Sequence, residues 1–376
     1  MTARICGPIV GSQPLMNIVK ATRHFERWLG QRTTLVESDI RLKHQRMADT
    51  PFAFFRATFY RWMQVWPEVC PKLAKAPQVL AVGDLHVENF GTWRDIEGRL
   101  VWGVNDFDEA APLPYTVDLV RLATSAQLAI SEGHLALKSK DACVVILDGY
   151  RQSLRQNGRP FVLEEENTWL RQIATNELRD PVHFWKKMEV LPAARGKIPA
   201  SAQRAMQHLL PDRKLKYRVA NRVAGLGSLG HVRLVAIAEC HGARIAREAK
   251  ALAPSAVDWA AGKSDSAGIL YQAILSRAVR DPDPFVRLFG RWIGRRLSPQ
   301  CSRIELNVLP KDRDEHRLLF AMGWETANIH LGSPAAVKAI TRHLESSPPK
   351  WLSGAAKDMA KAVVQDWRIW TKPREK

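Results

Sequence analysis

Two acidic turns of the sequence contain the residue types that phosphoryl transfer requires. The first reads Gly-Asp-Leu-His-Val-Glu-Asn-Phe-Gly over 83–91, and the second reads Val-Asn-Asp-Phe-Asp-Glu over 104–109. In such a transfer one carboxylate orients the attacking hydroxyl, while an amide oxygen and a second carboxylate hold Mg²⁺ against the phosphates. The turns supply these groups as Asp84, Asn89 and Asp106. The alternative is that both turns only cap helices, as acidic residues often do.

The two turns resemble the catalytic and metal loops of the aminoglycoside and choline kinases, a branch of the protein-kinase fold. Those loops read Gly-Asp-Leu-His-x-x-Asn and Ile-Asp-Phe with Asp or Gly next, and an Asp-Leu helix start follows, here at 117–123. Over about 50–333 the chain resembles more closely the bacterial family known as domain of unknown function 2252, whose members share Asn-Asp-Phe-Asp-Glu-Ala. One departure is Val82, because the kinase loop often has histidine at this position.

The resemblance implies a role for several residues of the two turns. Asp84 would be the catalytic aspartate. Asn89 and Asp106 would be magnesium ligands, and Asp108 would hold or approach a second metal. His86 would organise its loop through hydrogen bonds.

Three further acidic residues near the turns are expected to have structural roles. Asp118, at the start of the following helix, would anchor backbone. Glu88 and Glu109 are expected to be solvated or to form salt bridges.

A glycine-rich loop lies more than a hundred residues after the acidic turns. Its sequence fits the pattern G-x-G-x-x-G, in which backbone N–H groups cover the phosphates of a nucleotide. The flanking segments 217–223 and 232–238 predict strands, which favours a kinase over a Rossmann fold, where the loop opens a helix. The other interpretation is a tight hairpin turn. The candidate nucleotide-binding residues of the loop are Gly225, Gly227, Ser228 and Gly230.

A kinase-like site also needs a lysine on the third strand, to pair with the α- and β-phosphates. Lys250 is the candidate, because the related family keeps a lysine four residues before Pro254 and Ser255. Arg247 is the alternative. In ordinary kinases the glycine loop and the lysine precede the catalytic loop, whereas here they follow it. Because a site requires convergence in space and not a fixed chain order, we expect a circular permutation; otherwise the glycine loop is a coincidence.

The patterns of apolar residues predict the elements that position these groups. Strands at 79–82 and 100–104 are expected to form a hairpin-like unit with the carboxylates at its mouth. Further strands are predicted at 244–250, 292–297 and 304–309. Helices are predicted within 14–75 and at 117–131, 142–156, 315–331 and 335–370.

Together these elements predict an α+β fold with the two lobes of a protein kinase, circularly permuted. A mainly helical catalytic lobe is expected over 1–215, and a β-rich nucleotide lobe over 216–310. A C-terminal helical segment over 311–376 is expected to pack on the catalytic lobe. The 46% hydrophobic residues among 376 are enough to build such cores.

The expected function is an ATP- and Mg²⁺-dependent, kinase-like phosphotransferase. It would move the γ-phosphoryl group of ATP to a hydroxyl of a small molecule or a protein. One alternative is a nucleotidyl (AMP) transferase that binds ATP reversed on the same fold. The other is a non-catalytic protein that binds nucleotides or nucleic acid, because the net charge of +18 favours contact with polyanions.

The remaining composition indicates a cytoplasmic protein. Its five cysteines are scattered without a Cys-x-x-Cys pair, which argues against a disulfide framework and a zinc site. The sequence contains no run of 18 apolar residues, so no membrane span is predicted.

Overall fold

The computed structural model describes residues 16–174, 180–263, 268–301, 306 and 314–372, and this part of the chain has an α+β fold. The helices are α1 (Ile18–Gly30), α2 (Glu37–Arg46), α3 (Pro51–Ala57), α4 (Phe59–Val69), α5 (Tyr115–Ser131), α6 (Ser139–Arg155), α7 (Thr168–Ala174), α8 (Pro181–Glu189), α9 (Ala200–His208), α10 (Ala256–Ala260), α11 (Tyr271–Arg277), α12 (Glu315–His330), α13 (Pro334–Ser346) and α14 (Trp351–Thr371), with a 3₁₀ turn at Leu73–Lys75. The strands are β1 (Gln78–Ala81), β2 (Phe90–Arg94), β3 (Leu100–Val104), β4 (Ala111–Pro114), β5 (Phe161–Val162), β6 (Tyr217–Asn221), β7 (Arg233–Cys240), β8 (Ala243–Ala251), β9 (Arg287–Phe289) and β10 (Trp292–Leu297).

The strands that lead into the two acidic turns do not pair with each other. β1 is antiparallel to β4, and β3 is antiparallel to β2, which begins directly after the first turn. The predicted hairpin-like unit of 79–82 and 100–104 is therefore wrong, because β2 was not expected and takes β3 as its partner. The turns still meet, since the backbone N–H of Asn105 donates to the carbonyl oxygen of Asn89 at 2.8 Å.

Helices α6 and α12 approach each other unusually closely in the helical core. A Cβ atom added at Gly149 would lie 2.0 Å from the carbonyl oxygen of Phe320, and one added at Gly323 would lie 2.0 Å from that of Ile146. Real Cβ atoms do not tolerate such distances, and close-packed interiors cannot absorb extra volume without a shift of backbone. The helix pair therefore depends on glycine at both positions.

We expect Gly149→Ala to lower the free energy of unfolding by about 1–3 kcal/mol, the usual cost of overpacking. Chemical denaturation of the full chain measures this change. Gly354→Ala in α14 is the matched control, because a Cβ there meets nothing within 4 Å. It should be neutral or slightly stabilising, since alanine is the better helix former. Equal stability of both variants would contradict the tight packing of α6 against α12.

The second half of the described chain contains a five-stranded antiparallel sheet. Its order is β6-β7-β8-β10-β9, with α10 and α11 in the connection between β8 and β9. One face packs on α9 through small and apolar residues such as Ala205, Ala236 and Ala249. On the other face, Val235 and Ala246 pack against Met188 of α8.

Two helices follow α12 where the sequence predicted one helix over 335–370. The chain breaks between α13 and α14 at Pro348 and Pro349, because proline lacks the N–H group that a continuing helix needs. Helix α14 returns to the first helices, where Asp366 accepts from the buried Arg61 at 2.7 Å. The proposed boundaries at 215 and 310 remain predictions. Of the strand predicted at 304–309, only residue 306 lies within the described residues.

Across the described ranges, none of the helices combines the length and the apolar character needed to cross a membrane.

Candidate active site

The first acidic turn is anchored by the carboxylate of Asp118 at the start of α5. The backbone N–H groups of Val82 and Gly83 donate to its two oxygens at 2.7 and 2.9 Å, and His330 Nε2 lies 3.0 Å from Oδ2. Gly83 has a φ of 82°, and a Cβ at this position would lie 2.4 Å from the carbonyl oxygen of Glu109. Asp118 therefore fixes the point where the chain leaves β1, and only glycine fits the first position of the turn.

Asn89 joins the two acidic turns. Its side-chain Nδ2 donates to the carbonyl oxygens of Asp84 and Asp106, each at 3.1 Å, and the residue is buried. Because both acceptors are carbonyl oxygens, the nitrogen must point at them and Oδ1 is left as the side-chain atom for a ligand. Within the first turn, His86 Nδ1 accepts from the backbone N–H of Glu88 at 3.2 Å.

The carboxylate of Asp84 is held by a buried arginine that sequence reasoning did not assign to the site. Arg121 of α5 is fully buried, and its Nε donates to Asp84 Oδ1 at 2.9 Å. Its guanidinium lies over the rings of Phe55, Phe59 and Trp62, with distances of 4.0–5.0 Å to the ring centroids. Arg121 thus fixes one oxygen of Asp84 and leaves Oδ2 directed at the cavity.

Lys250 of β8 connects the sheet to the second acidic turn. Its side chain is fully buried; Nζ lies 3.0 Å from Asp106 Oδ2 and also contacts Asp108 Oδ2. Arg247 points away from these carboxylates, since its Nε donates to the carbonyl oxygen of Leu209. The structure therefore brings Lys250, and not the alternative Arg247, to the acidic turns.

The pKa values of the two carboxyl groups beside Lys250, those of Asp106 and Asp108, are shifted in opposite directions. Burial works against the charge of Asp106, but the nearby cations Lys250 and Arg295 hold its pKa well below the usual range. Burial and the negative charge of Asp106 raise the pKa of Asp108 to about 7. This is the behaviour expected of two neighbouring carboxyl groups that cannot both ionise freely. Asp106 is the stable anion of the pair.

The glycine-rich loop joins β6 to β7 and lies directly over Asp84. An added Cβ at Gly227 would lie 3.0 Å from the carbonyl oxygen of Arg56 and 3.3 Å from Asp84 Oδ2. Gly225 and Gly230 have positive φ values of 75° and 100°. A side chain at any of these three glycines would strain the loop or fill the space beside the catalytic candidate.

Two side chains hold this loop in place. Lys43 of α2 is buried and donates from Nζ to the carbonyl oxygen of Gly227 at 3.1 Å. The hydroxyl of Ser228 accepts from Arg233 Nη2 at 2.6 Å. Lys43 belongs to no motif, and burial lowers its pKa. Ser228 is at the loop as predicted, but its oxygen is engaged by the arginine.

The remaining polar residues near the cavity have protein partners. Glu109 Oε2 accepts from the hydroxyl of Ser255 and the backbone N–H of Ala256, each at 2.7 Å, and burial raises its pKa to about 7. Glu109 is therefore half-buried, with its carboxylate bound at the start of α10 instead of solvated. Glu88 forms a salt bridge with Arg56. His231 Nδ1 lies 3.0 Å from the carbonyl oxygen of Ala251, and burial lowers its pKa to about 3.

The predicted metal ligands have the donor chemistry that Mg²⁺ prefers. Asn89 Oδ1 and the oxygens of Asp106 and Asp108 are hard donors on adjacent turns. Asp108 Oδ1 is buried without a hydrogen-bond partner in the described residues, so it is one oxygen that a cation would satisfy. The set contains an amide and two carboxylates; the described ranges contain no group of three or more His, Cys, Asp or Glu side chains arranged for a metal.

Two cavities share lining residues at this place. The smaller, about 90 Å³, is lined by Asp84, Asn89, Asp106 and Asp108 together with Gly225, Gly227 and Ser228. The larger, about 920 Å³, runs between the sheet and the helical body and shares Asn89, Asp106 and Gly225 with the first. Drug-sized ligands need roughly 300–1,000 Å³, so a nucleotide fits the larger cleft and not the smaller cavity.

Residues 34–183 match the model of a family described as an uncharacterized protein conserved in bacteria (DUF2252), which supports the predicted resemblance to that family. The matched stretch contains both acidic turns, whereas the glycine-rich loop and Lys250 follow it in the chain. No curated protein and no solved structure matches the chain.

Proposed function

We propose that this chain is an ATP- and Mg²⁺-dependent phosphotransferase that moves the γ-phosphoryl group of ATP to a hydroxyl of an acceptor. The observation that carries this function is the convergence of Asp84, Asn89, Asp106 and the glycine-rich loop at one cavity, with Lys250 buried against Asp106. Each group alone has a structural explanation. Together they are the groups that phosphoryl transfer places around a triphosphate.

The connectivity of the five-stranded sheet supports a kinase-like, two-lobe fold. The glycine-rich loop joins the first two strands of this sheet, β6 and β7, and Lys250 lies on the third, β8. Protein kinases have the same arrangement, with the phosphate-binding lysine on the third strand. Both features follow the acidic turns in the chain, so the fold is a permuted version of the kinase order.

Asp84 is the residue that takes the proton of the acceptor hydroxyl. Arg121 engages Oδ1, and Oδ2 lies beside Gly227, where the loop covers the cavity. In the transfer, the bond between the γ-phosphorus and its bridging oxygen breaks, a bond to the acceptor oxygen forms, and ADP leaves. The fixed orientation of Asp84 avoids reorganisation during this step, which is the main way that a protein accelerates phosphoryl transfer.

The second acidic turn provides the charge for the metal and the nucleotide. Mg²⁺, when bound, neutralises charge on the phosphate oxygens. Asn89 and Asp106 would hold it, and Asp108 would hold or approach a second ion. Lys250 supplies a buried positive charge between these carboxylates and the sheet, where it can contact the α- and β-phosphates. The nucleotide lies in the larger cleft, which Asn89 and Asp106 also line.

Direct measurement of nucleotide binding and turnover tests this function. We expect the purified full chain to bind ATP with an affinity that rises on addition of Mg²⁺, and to transfer label from γ-labelled but not α-labelled ATP. Incubation with candidate hydroxyl compounds and with proteins would identify the acceptor. Label from the α-position in the product would indicate nucleotidyl transfer instead. ATP affinity that does not respond to Mg²⁺, with no label transferred from either position, would contradict both activities.

A further inference from the structure

Three arginines face the larger cleft and form a cluster that the proposed phosphoryl transfer does not use. Arg233 on β7 and Arg295 on β10 lie on the same face of the sheet as Lys250. Cross-strand register places Arg233 opposite Lys250 and Arg295 opposite Glu248. Residues directly opposite each other project to the same side of a sheet. Arg222, just after β6, reaches the same place. We call Arg222, Arg233 and Arg295 the arginine cluster.

The arginine cluster surrounds one carboxylate, that of the fully buried Glu248. Arg222 Nη1 lies 2.5 Å from Oε2, Arg233 Nη1 lies 3.1 Å from Oε1, and Arg295 Nε lies 3.8 Å from Oε1. Burial alone would raise the pKa of Glu248, but the three arginines lower it to about 2. Asp106 and Asp108 lie nearby and pair with Lys250, and the four cations on this face still outnumber the three carboxylates.

The cluster also has hydrogen-bond donors that no described residue satisfies. Arg233 is only 7% exposed, yet its Nε has no hydrogen-bond partner among the described residues, and the same is true of Arg295 Nε. All three arginines line the cleft of about 920 Å³. A buried, under-satisfied guanidinium is costly, because the donor has lost its water without gaining an acceptor. A ligand with several acceptor oxygens and negative charge would supply acceptors for these donors and would balance the excess positive charge.

The chemistry of the cluster selects phosphate over other anions of this size. Guanidinium groups match phosphate oxygens in bidentate geometry, and several of them together suit a group that carries more than one negative charge. A nucleobase gains little from this face, since it offers no negative charge to the excess cations. The cluster lies on the same sheet face as Lys250, which contacts Asp106, so a phosphate here belongs to a ligand in the same cleft.

We propose that the arginine cluster is a second phosphate-binding site, which takes a polyphosphate or phosphate-ester group. The group has two possible sources. It is either the β- and γ-phosphates of a nucleotide that binds with its α-phosphate at Asp106, or the phosphate of an anionic acceptor. Only the choice of source rests on the proposed function; the site itself does not.

Calorimetric titration with inorganic tripolyphosphate tests the site without any nucleotide. We expect the wild-type chain to bind it, and Arg222→Gln and Arg295→Gln each to weaken binding on the order of tenfold, the loss of one charge-assisted hydrogen bond. Arg244→Gln is the matched control, because Arg244 lies on β8 of the same sheet, is 43% exposed and pairs with Glu189 outside the cleft. The Arg244→Gln variant should bind tripolyphosphate with the affinity of wild type.

If the variant of the more buried Arg295 does not fold, Arg222→Gln alone tests the site. The Arg222 side chain is 27% exposed, so its replacement should disturb folding less. Arg222→Lys should recover part of the affinity, because it keeps the charge but not the bidentate geometry. No binding of tripolyphosphate by the wild type, or equal affinity in wild type, Arg222→Gln and Arg244→Gln, would overturn the proposal.

Competition with ATP then distinguishes the two sources. If tripolyphosphate displaces ATP from the wild type but not from Arg222→Gln, the nucleotide's own phosphates occupy the cluster. In that case α-labelled ATP should label the product with release of pyrophosphate, and the reaction is nucleotidyl transfer in place of the proposed γ-phosphoryl transfer. If tripolyphosphate and ATP bind at the same time, the phosphate that occupies the arginine cluster belongs to the acceptor. Either result supports the site. A cluster that binds tripolyphosphate in a chain that neither binds nor turns over ATP would refute the proposed function alone.

Discussion

Asp84→Asn is expected to lower the rate of phosphoryl transfer by about 10²–10⁴-fold, the usual contribution of a positioned general base. Asparagine keeps the shape of the side chain and an oxygen that can accept from Arg121, but it cannot take the proton of the acceptor hydroxyl. ATP affinity should change little, because Asp84 lines the smaller cavity and not the larger cleft, in which we propose that the nucleotide lies. Turnover and ATP affinity measured on the same sample test both statements.

The loss of a buried ion pair must be separated from the loss of catalysis. Removal of one partner of such a pair can cost about 3–5 kcal/mol of stability. Asp366→Asn is the matched control, since Asp366 pairs with the buried Arg61 at 2.7 Å, much as Asp84 pairs with Arg121 at 2.9 Å. We expect both variants to lose stability and only Asp84→Asn to lose turnover. Similar turnover in the two variants would contradict the catalytic role.

If Asp84→Asn does not fold, Asp84→Glu keeps the negative charge beside Arg121. One extra methylene moves the carboxylate by about 1 Å, and misplacement of this size can cost on the order of 10² in rate. Retention of the wild-type rate in this variant would also count against Asp84 as the base.

Much of the sheet was predictable because its signals are local. The segment 232–238 has the apolar, β-branched composition of a strand, and strands were also predicted at 244–250 and 292–297. The strands are found there as β7, β8 and β10. The same holds for the start of α5, where an apolar helical pattern follows the second acidic turn. In each case the residues that decide the element lie within a few positions of one another.

The polar partners of the site were not predictable from the chain. Lys43 meets Gly227 across a separation of 184 residues, and it lies on a short polar helix without a motif. Arg121 was visible only as one residue of the segment 117–123, which begins the helix after the second turn. Its role follows from the aromatic residues of α3 and α4 that surround it. Such contacts depend on how helices pack, which local patterns do not encode.

The wrong hairpin and the unexpected hydrogen-bond partners of Glu109 have related causes. β2 reads Phe-Gly-Thr-Trp-Arg, in which glycine weakens the strand signal, so the strand that pairs with β3 was overlooked. Glu109 is charged and ends the second acidic turn, which suggests a solvated residue. Its hydrogen bonds depend on the N-terminus of α10, where the Ser255 hydroxyl and the Ala256 N–H group lie 146 and 147 positions further along the chain.

Asp106→Asn is expected to weaken Mg²⁺-dependent ATP binding by at least about 10–100-fold. Replacement of outer-shell partners of metal sites already costs this much, and Asp106 is a proposed direct ligand. The substitution removes the stable anion of the second turn while Asn89 still bonds the backbone carbonyl of residue 106. Lys250 keeps Asp108 as a partner, so its buried charge is not left alone. Titration with ATP at several Mg²⁺ concentrations measures the change.

Glu109→Gln provides the comparison for Asp106→Asn inside the same cavity. Glu109 is a half-buried carboxyl group that lines this cavity, but its Oε2 accepts hydrogen bonds from Ser255 and Ala256. The ATP affinity of Glu109→Gln should therefore depend on Mg²⁺ as that of wild type does. The two variants separate a metal ligand from a general loss of negative charge in the cavity. If both weaken the Mg²⁺ effect equally, the cavity attracts cations only through its net charge, and Asp106 does not bind the metal as proposed.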